Sequence, residues 1–102
     1  MQNIDTTCNL SICFSICNKN YTYTKDTVKE NLKACDFFLL PCDYTLKILD
    51  IHTNFVTCSV ENEDICVIRN YMLDAEVPLC LKTSCYTNKI LLKVTKINSG
   101  TT

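Results

Sequence analysis

The apolar residues between Thr27 and Pro41 (TVKENLKACDFFLLP) have the spacing of an amphipathic helix. They recur at steps of three and four residues, which places them on one stripe: Val28, Leu32, Cys35 and Leu39. Thr27 and Glu30 stand at the spacing of a capping box, in which both side chains bond free amides of the first turn. Because Pro41 disfavours helical geometry at the residue before it, the pattern predicts a helix that ends at Leu40.

Other segments favour strands. Tyr44–Ile51 and Phe55–Val60 are rich in β-branched residues, and Asn54 falls in the bend between them, although a helix stays open for this region. Tyr21–Thr24 is a shorter extended candidate, which follows a turn signal at Asn18–Asn20. The sequence therefore predicts at least a short sheet beside the helix.

Two further segments fit both periods. Leu10–Cys17 and Ser84–Ile97 carry apolar residues at helical spacing that also alternate, so helix and strand both stay open there. Glu61–Asp64 is an acidic cluster that precedes apolar residues at helical steps: Ile65, Ile68, Met72 and Leu73. Since carboxylates are favoured in the first turn of a helix, this cluster predicts a second helix.

Length, net charge and glycine content limit the domain organisation and the classes of function that the chain can have. The 102-residue chain is expected to form a single small domain over residues 1–97, with a frayed tail at 98–102. Its net charge is −1 and its lysines are scattered, which argues against nucleic acid as a partner. The only glycine is Gly100, so glycine-rich phosphate loops and nucleophile elbows are excluded.

Nine cysteines and a single histidine, His52, are the candidate chemical groups. No C-x2-C pair occurs, so no metal and no cofactor are expected, and the cysteines are expected to be buried free thiols. No particular cysteine is marked as a partner for His52, so no enzyme is expected. Without a basic signal-peptide start or a long apolar run, no membrane association and an intracellular, cytoplasmic location are expected.

The run SICFSICNKNYTYTKDTVKENLKACDFFLLP, within residues 10–41, resembles the second half of a BTB/POZ domain, as in poxviral BTB–kelch proteins. The positions that match its last helix are Val28, Leu32, Ala34, Cys35, Asp36, Phe37, Phe38 and Pro41. Residues 59–80 are more loosely similar to the BACK helices that follow such a domain, whereas the stretch between Pro41 and Ser59 departs from the pattern.

This resemblance implies a helix-led α+β fold with a shortened BTB/BACK-like arrangement. The alternative fold is a small α+β domain with one main helix on an antiparallel sheet. The implied function is a viral, host-interacting protein–protein interaction module, similar to a ubiquitin-ligase adaptor or its competitor. Its partner would be a host or viral protein, such as a cullin-type ligase component, or a second copy of the chain. The rival interpretation is a cysteine-rich effector module stabilised by metal or disulfides.

Phe37, Phe38 and Leu39 are the candidate partner-binding residues. Adjacent side chains cannot both face the core from one helix, so one of the two phenylalanines, Phe37, is expected to be exposed. Exposed aromatic residues beside leucine are typical of contact surfaces.

Overall fold

Strict alternation of buried and half-buried positions in residues 8–14 is the pattern of a strand. Its inward side chains are Cys8, Leu10, Ile12 and Phe14. A helix would have placed only part of this set on one side, whereas a strand buries all four because successive side chains point to opposite faces.

The computed structural model describes residues 6–82 and 86–98. They form eight strands: β1 Thr7–Asn18, β2 Tyr21–Leu32, β3 Phe37–Leu39, β4 Thr45–Ile51, β5 Phe55–Glu61, β6 Cys66–Met72, β7 Glu76–Lys82 and β8 Thr87–Asn98. A short 3-10 turn, Pro41–Asp43, precedes β4. Within these ranges there is no α-helix.

The helix-led α+β prediction is therefore wrong, and so is the alternative with one main helix on a sheet. The segment expected to be the main helix contains the second half of β2, a turn and β3. Asn31 and Cys35 have φ angles of 57° and 75°, which a right-handed helix does not allow. The first half of this segment is a strand because β2 pairs with β1 over nearly its whole length, whereas a helix depends on tertiary packing for most of its stability.

The second predicted helix is also wrong, because residues 66–72 form β6. The acidic cluster before it is a hairpin turn and not a helix start. Asn62 Oδ1 accepts hydrogen bonds from the backbone N–H groups of Asp64 and Ile65, both at 2.9 Å. This side-chain acceptor shapes the turn without glycine.

The segments behind the BTB/BACK resemblance, residues 10–41 and 59–80, are thus mainly strands. The expected viral, BTB/POZ-like adaptor rested on helices in these segments, and the observed strands conflict with it. At 44–51 and 55–60, where the sequence favoured strands but left a helix open, the structure has the strands β4 and β5, and Tyr21–Thr24 lies in β2. The ambiguous C-terminal segment is a strand from Thr87, while Ser84 and residues 99–102 of the expected tail lie outside the described residues.

Two four-stranded antiparallel sheets make up the architecture. The first has the order β2-β1-β8-β7 and the second the order β3-β4-β5-β6. The chain changes sheet twice, between β2 and β3 and between β6 and β7. Because β1 and β8 are neighbours at the centre of the first sheet, segments from the two ends of the chain pair directly.

The core lies between the sheets, as in a β-sandwich. Its largest buried side chains come from both sheets: Phe14, Leu10, Ile12, Ile90, Leu92 and Val94 from one, and Leu46, Ile48, Val56, Val60 and Tyr71 from the other. Tyr44 completes the core at one end, where its ring lies 6.1 Å from that of Phe14.

Side chains also connect the open edges of the sandwich. The Nζ atom of Lys29 on β2 lies 5.1 Å from the ring centroid of Phe38 on β3. On the other side, Nη1 of Arg69 on β6 donates a hydrogen bond of 3.0 Å to the carbonyl of Pro78 on β7. Each sheet edge is therefore held to the edge opposite it.

Across residues 6–82 and 86–98, no helix has the length and apolar character needed to traverse a bilayer.

Candidate interaction surface

The outward side of the second sheet carries the most exposed apolar side chains, and we call it the β3–β6 face. It runs from Phe37 and Leu39 at one edge, over Lys47 and Ser59, to Ile68 and Met72 at the other edge. Strand register sets this arrangement, because Phe37 pairs with Lys47, Lys47 with Ser59 and Ser59 with Ile68. Directly paired residues of an antiparallel sheet point to the same side.

The two edges of the β3–β6 face are highly accessible. Phe37 is 66% exposed and Leu39 is 76% exposed on β3, while Ile68 is 60% exposed and Met72 is 49% exposed on β6. Side chains of this size are usually buried, so four such positions on one sheet face are informative.

Phe38 does not belong to this face. It pairs with the buried Leu46, so its ring points inward, where it is half-buried under the Lys29 ammonium group. Of the three residues singled out from the sequence, the structure thus brings Phe37 and Leu39 together and places Phe38 on the opposite side of β3. The strand period of two explains the separation.

The middle of the β3–β6 face, formed by β4 and β5, is mainly polar. Ser59 is only 4% exposed, since its small side chain lies between the longer side chains of the neighbouring strands. Thr57 Oγ1 donates a 2.8 Å hydrogen bond to Asn70 Oδ1 on β6. The face therefore has two apolar rims, on β3 and β6, that flank a mainly polar floor on β4 and β5.

The outward side of the first sheet has a different character. Its central strand β1 presents Ser11, Cys13, Ser15 and Cys17 there, and its neighbours add threonine and lysine side chains. Val28 on β2 is the exposed large aliphatic residue on that side. Apart from Val28 and two tyrosines of β2, the exposed large apolar side chains of the described strands thus lie on the β3–β6 face.

His52, the only histidine, lies at one end of the β3–β6 face. Its ring stacks on Phe55 at 4.1 Å between centroids, and its Nε2 is 3.3 Å from Asp50 Oδ2. Both side chains of this pair are substantially exposed, so the interaction contributes little to stability. The contacts of His52 are those of a surface residue beside an aromatic ring.

Only two of the cysteines that the structure describes are buried, Cys8 and Cys58, so the expected burial of the cysteines is wrong for the other six. The eight that the structure describes are all free: Cys8, Cys13, Cys17, Cys35, Cys42, Cys58, Cys66 and Cys80. Burial raises the pKa of Cys58 to about 12 and that of Cys8 to about 11, and a hydrogen bond with Asp26 raises the pKa of Cys13. These shifts disfavour the thiolate that nucleophilic chemistry needs.

Concave and metal-binding sites are lacking in the described ranges. Residues 6–82 and 86–98 form no pocket, and no three histidine, cysteine, aspartate or glutamate side chains among them converge on a common point. The chain matches no protein-family model, no curated protein and no solved structure. The β3–β6 face is therefore the candidate functional site on geometric grounds alone.

Sequence reasoning missed Ile68 and Met72 because it assigned them to the core stripe of a helix. The available signal was alternation in Cys66–Met72, in which the odd-numbered Val67, Arg69 and Tyr71 point inward. The buried Tyr71 fixes this phase, since its neighbours on either side must then face outward.

Proposed function

We propose that the protein is a non-enzymatic protein–protein interaction module whose β3–β6 face binds a protein partner. The observation that carries the proposal is the exposure of Phe37, Leu39, Ile68 and Met72 on one sheet face. Covering these side chains removes apolar surface from water, at a gain of roughly 25 cal/mol per Å².

The shape of the face suits a partner that is itself a protein. Apolar rims separated by a polar floor resemble the mixed composition of protein interfaces, where aromatic anchors are surrounded by hydrogen-bonding groups. A small-molecule ligand would need concavity, which the described residues do not provide.

An intracellular, cytoplasmic location forms part of the proposal. It is supported by the eight described cysteines, which are all free thiols, five of them exposed. Reducing compartments preserve such thiols, whereas exposed free cysteines in oxidising compartments are prone to pairing.

The test compares a disrupted face with a matched control. Phe37→Asp combined with Leu39→Asp places two charges on the β3 rim, and Val28→Asp places one on the opposite sheet at a position that is also 66% exposed. Affinity capture with the tagged wild-type chain identifies bound proteins, and titration then gives their affinities. We expect the double variant to lose about 30-fold in affinity, or about 2 kcal/mol, while the control binds normally.

Self-association is measured on the same samples by light scattering after size-exclusion chromatography, which identifies a second copy of the chain as the partner. Equal binding by the wild type and the double variant would contradict the proposal. So would a wild-type chain that binds neither itself nor another protein.

A further inference from the structure

β2 is the longest edge strand of the sandwich, and among residues 6–82 and 86–98 no strand pairs with its outer side. The other edges are short or interrupted. β3 has three residues, β7 contains Pro78, which has no N–H group, and Arg69 of β6 bonds the carbonyl of that proline. β2 has 12 residues, Tyr21–Leu32, and no proline. An open edge of this length can add a further strand through backbone hydrogen bonds.

Charged side chains in the middle of β2 decide which strand fits this edge. They form two adjacent pairs of opposite sign, Lys25 with Asp26 and Lys29 with Glu30. Lysine on an edge strand discourages pairing where nothing compensates its charge. Because an acidic residue follows each lysine here, the outcome depends on the register: some registers oppose like charges and others do not.

Two-fold symmetry limits the registers in which a second copy of β2 can pair with this edge. In an antiparallel pair of identical strands, the axis is perpendicular to the sheet and one residue lies opposite its own copy. Every such centre from residue 25 to residue 29 opposes like charges: Lys25 or Lys29 against itself, Lys25 against Lys29, Asp26 against itself, or Asp26 against Glu30. Directly opposed like charges destabilise a sheet, so these registers are disfavoured.

We propose that the chain dimerises through β2, antiparallel and centred on Thr24, so that the first sheets of two copies join into one continuous sheet. This centre pairs Tyr21–Thr27 of one copy with the same segment of the other and opposes no like charges. Centres closer to Tyr21 also avoid like charges, but they pair fewer residues. Thr24 is therefore the centre of the longest pairing that the charges of β2 allow.

On the inward side of the sheet, this register places an aromatic ring opposite an ammonium group. Tyr23 and Lys25 lie on that side, because they pair with Ile16 and Phe14 of β1. Both are exposed, Tyr23 by 37%. Tyr23 of each copy lies opposite Lys25 of the other, where the ammonium group can stack on the ring. The two-fold axis makes this contact twice, and it covers aromatic surface that a single copy leaves in water.

On the outward side, the same register places a hydroxyl opposite a carboxylate. Thr22 and Asp26 lie there, because they pair with Cys17 and Cys13 of β1. In a single copy the Thr22 hydroxyl makes a contact of 3.9 Å with the Cys17 sulfur, which is a weak acceptor. In the dimer it lies opposite Asp26 of the second copy, whose carboxylate is a much stronger acceptor. Dimerisation therefore improves the hydrogen bonding of this side chain.

The proposed dimer leaves the β3–β6 face open. β2 is held to β3 through the Lys29 ammonium group and the Phe38 ring, and Lys29 lies beyond the paired segment Tyr21–Thr27. Phe37 and Leu39 project from the other side of β3. Dimerisation through β2 is therefore independent of the function proposed for the β3–β6 face.

Sedimentation velocity of the full chain, in the presence of a reductant and over a roughly hundredfold range of concentration, tests the dimer. We expect the wild type to show a reversible monomer–dimer equilibrium. Thr24→Lys and Thr24→Asp each oppose two like charges at the centre, so each should weaken dimerisation about tenfold. An equimolar mixture of the two variants should restore it, because the charges at the centre are then opposite in sign.

Two controls locate the contact, and urea midpoints verify that all variants fold. Val28→Asp introduces a charge on the same strand outside Tyr21–Thr27, and Phe37→Asp with Leu39→Asp changes the β3–β6 face. Both controls should dimerise like the wild type. A wild type that stays monomeric would overturn the proposal, and so would a mixture that dimerises no better than either Thr24 variant alone. Self-association that is lost in the β3 double variant but kept in Thr24→Asp would assign the dimer to the β3–β6 face instead.

Discussion

Tyr44 and Asn88 join the two sheets through a buried hydrogen bond that can be tested with unusual sharpness. Asn88 Nδ2 donates to the Tyr44 hydroxyl at 3.0 Å, and the two residues are 3% and 2% exposed. Among the described residues, Asn88 Oδ1 has no hydrogen-bond partner. The Asn88 side chain is therefore hydrogen-bonded through its NH2 group, to Tyr44, and not through its oxygen.

Tyr44→Phe removes the hydroxyl and leaves both polar ends of Asn88 buried without a protein partner. An unsatisfied buried group costs about 1–3 kcal/mol, because its hydration is lost and nothing replaces it. The ring of Tyr44 and its contact with Phe14 remain, so packing contributes little to the change. We expect the free energy of unfolding to fall by about 2 kcal/mol.

Adding Asn88→Leu should reverse this loss. The double variant Tyr44→Phe/Asn88→Leu replaces both partners with apolar groups of similar size, which is nearly neutral or stabilising when no polar atom is left behind. The double variant should therefore be more stable than Tyr44→Phe alone. If the two substitutions acted independently, their losses of stability would add, and the double variant would be less stable than Tyr44→Phe.

Urea denaturation followed by circular dichroism measures both effects. With a slope of roughly 1–3 kcal/mol per M, a loss of 2 kcal/mol lowers the midpoint by about 1 M. A double variant with a lower midpoint than Tyr44→Phe would refute the reasoning, since it would show that the amide contributes something other than an unsatisfied polar group.

Two further measurements follow from buried thiols and from a turn. Because burial raises the pKa values of Cys8 and Cys58 above the unfolded value of 9.0, both stay protonated in the folded state when the unfolded chain ionises. The free energy of unfolding should thus fall as the pH rises above about 9. This decrease should be smaller in Cys8→Ala/Cys58→Ala than in the control Cys80→Ser. Urea midpoints measured between about pH 8 and pH 10.5 test this. Asn62→Ala removes the acceptor for two turn amides and should lower stability by about 1–2 kcal/mol in thermal unfolding, while Glu63→Ala, at an exposed position of the same turn, should change it little.

Local pattern predicted some strands of this fold and failed for others. β4 and β5 were favoured as strands because β-branched residues are frequent in them, although a helix could not be excluded from the sequence. The helix prediction over residues 27–40 failed because apolar residues at helical spacing and a capping pair describe local preference alone. Pairing of β2 with β1 overrides that preference, and no local feature reveals a partner strand.

The candidate site was predictable only in part. Adjacent phenylalanines must point to different sides of a strand as well as of a helix, so an exposed position at 37 or 38 could be expected without knowing the fold. Which other residues join Phe37 depends on the register between β3, β4, β5 and β6. Register is set by tertiary pairing, so Ile68 and Met72 could not be assigned to the same face from the sequence.

The pairing of β1 with β8 has a consequence for synthesis on the ribosome. Thr7 pairs with Asn98, so the central ladder of the first sheet joins residues about 90 positions apart and raises the contact order of the fold. Until β8 emerges, β1 has β2 as its only neighbour, and the apolar side of this hairpin lacks the rest of its sheet. Folding of this sheet is thereby delayed until β8 has been synthesised, and until then the edge of β1 that β8 will cover is open to pairing with other chains.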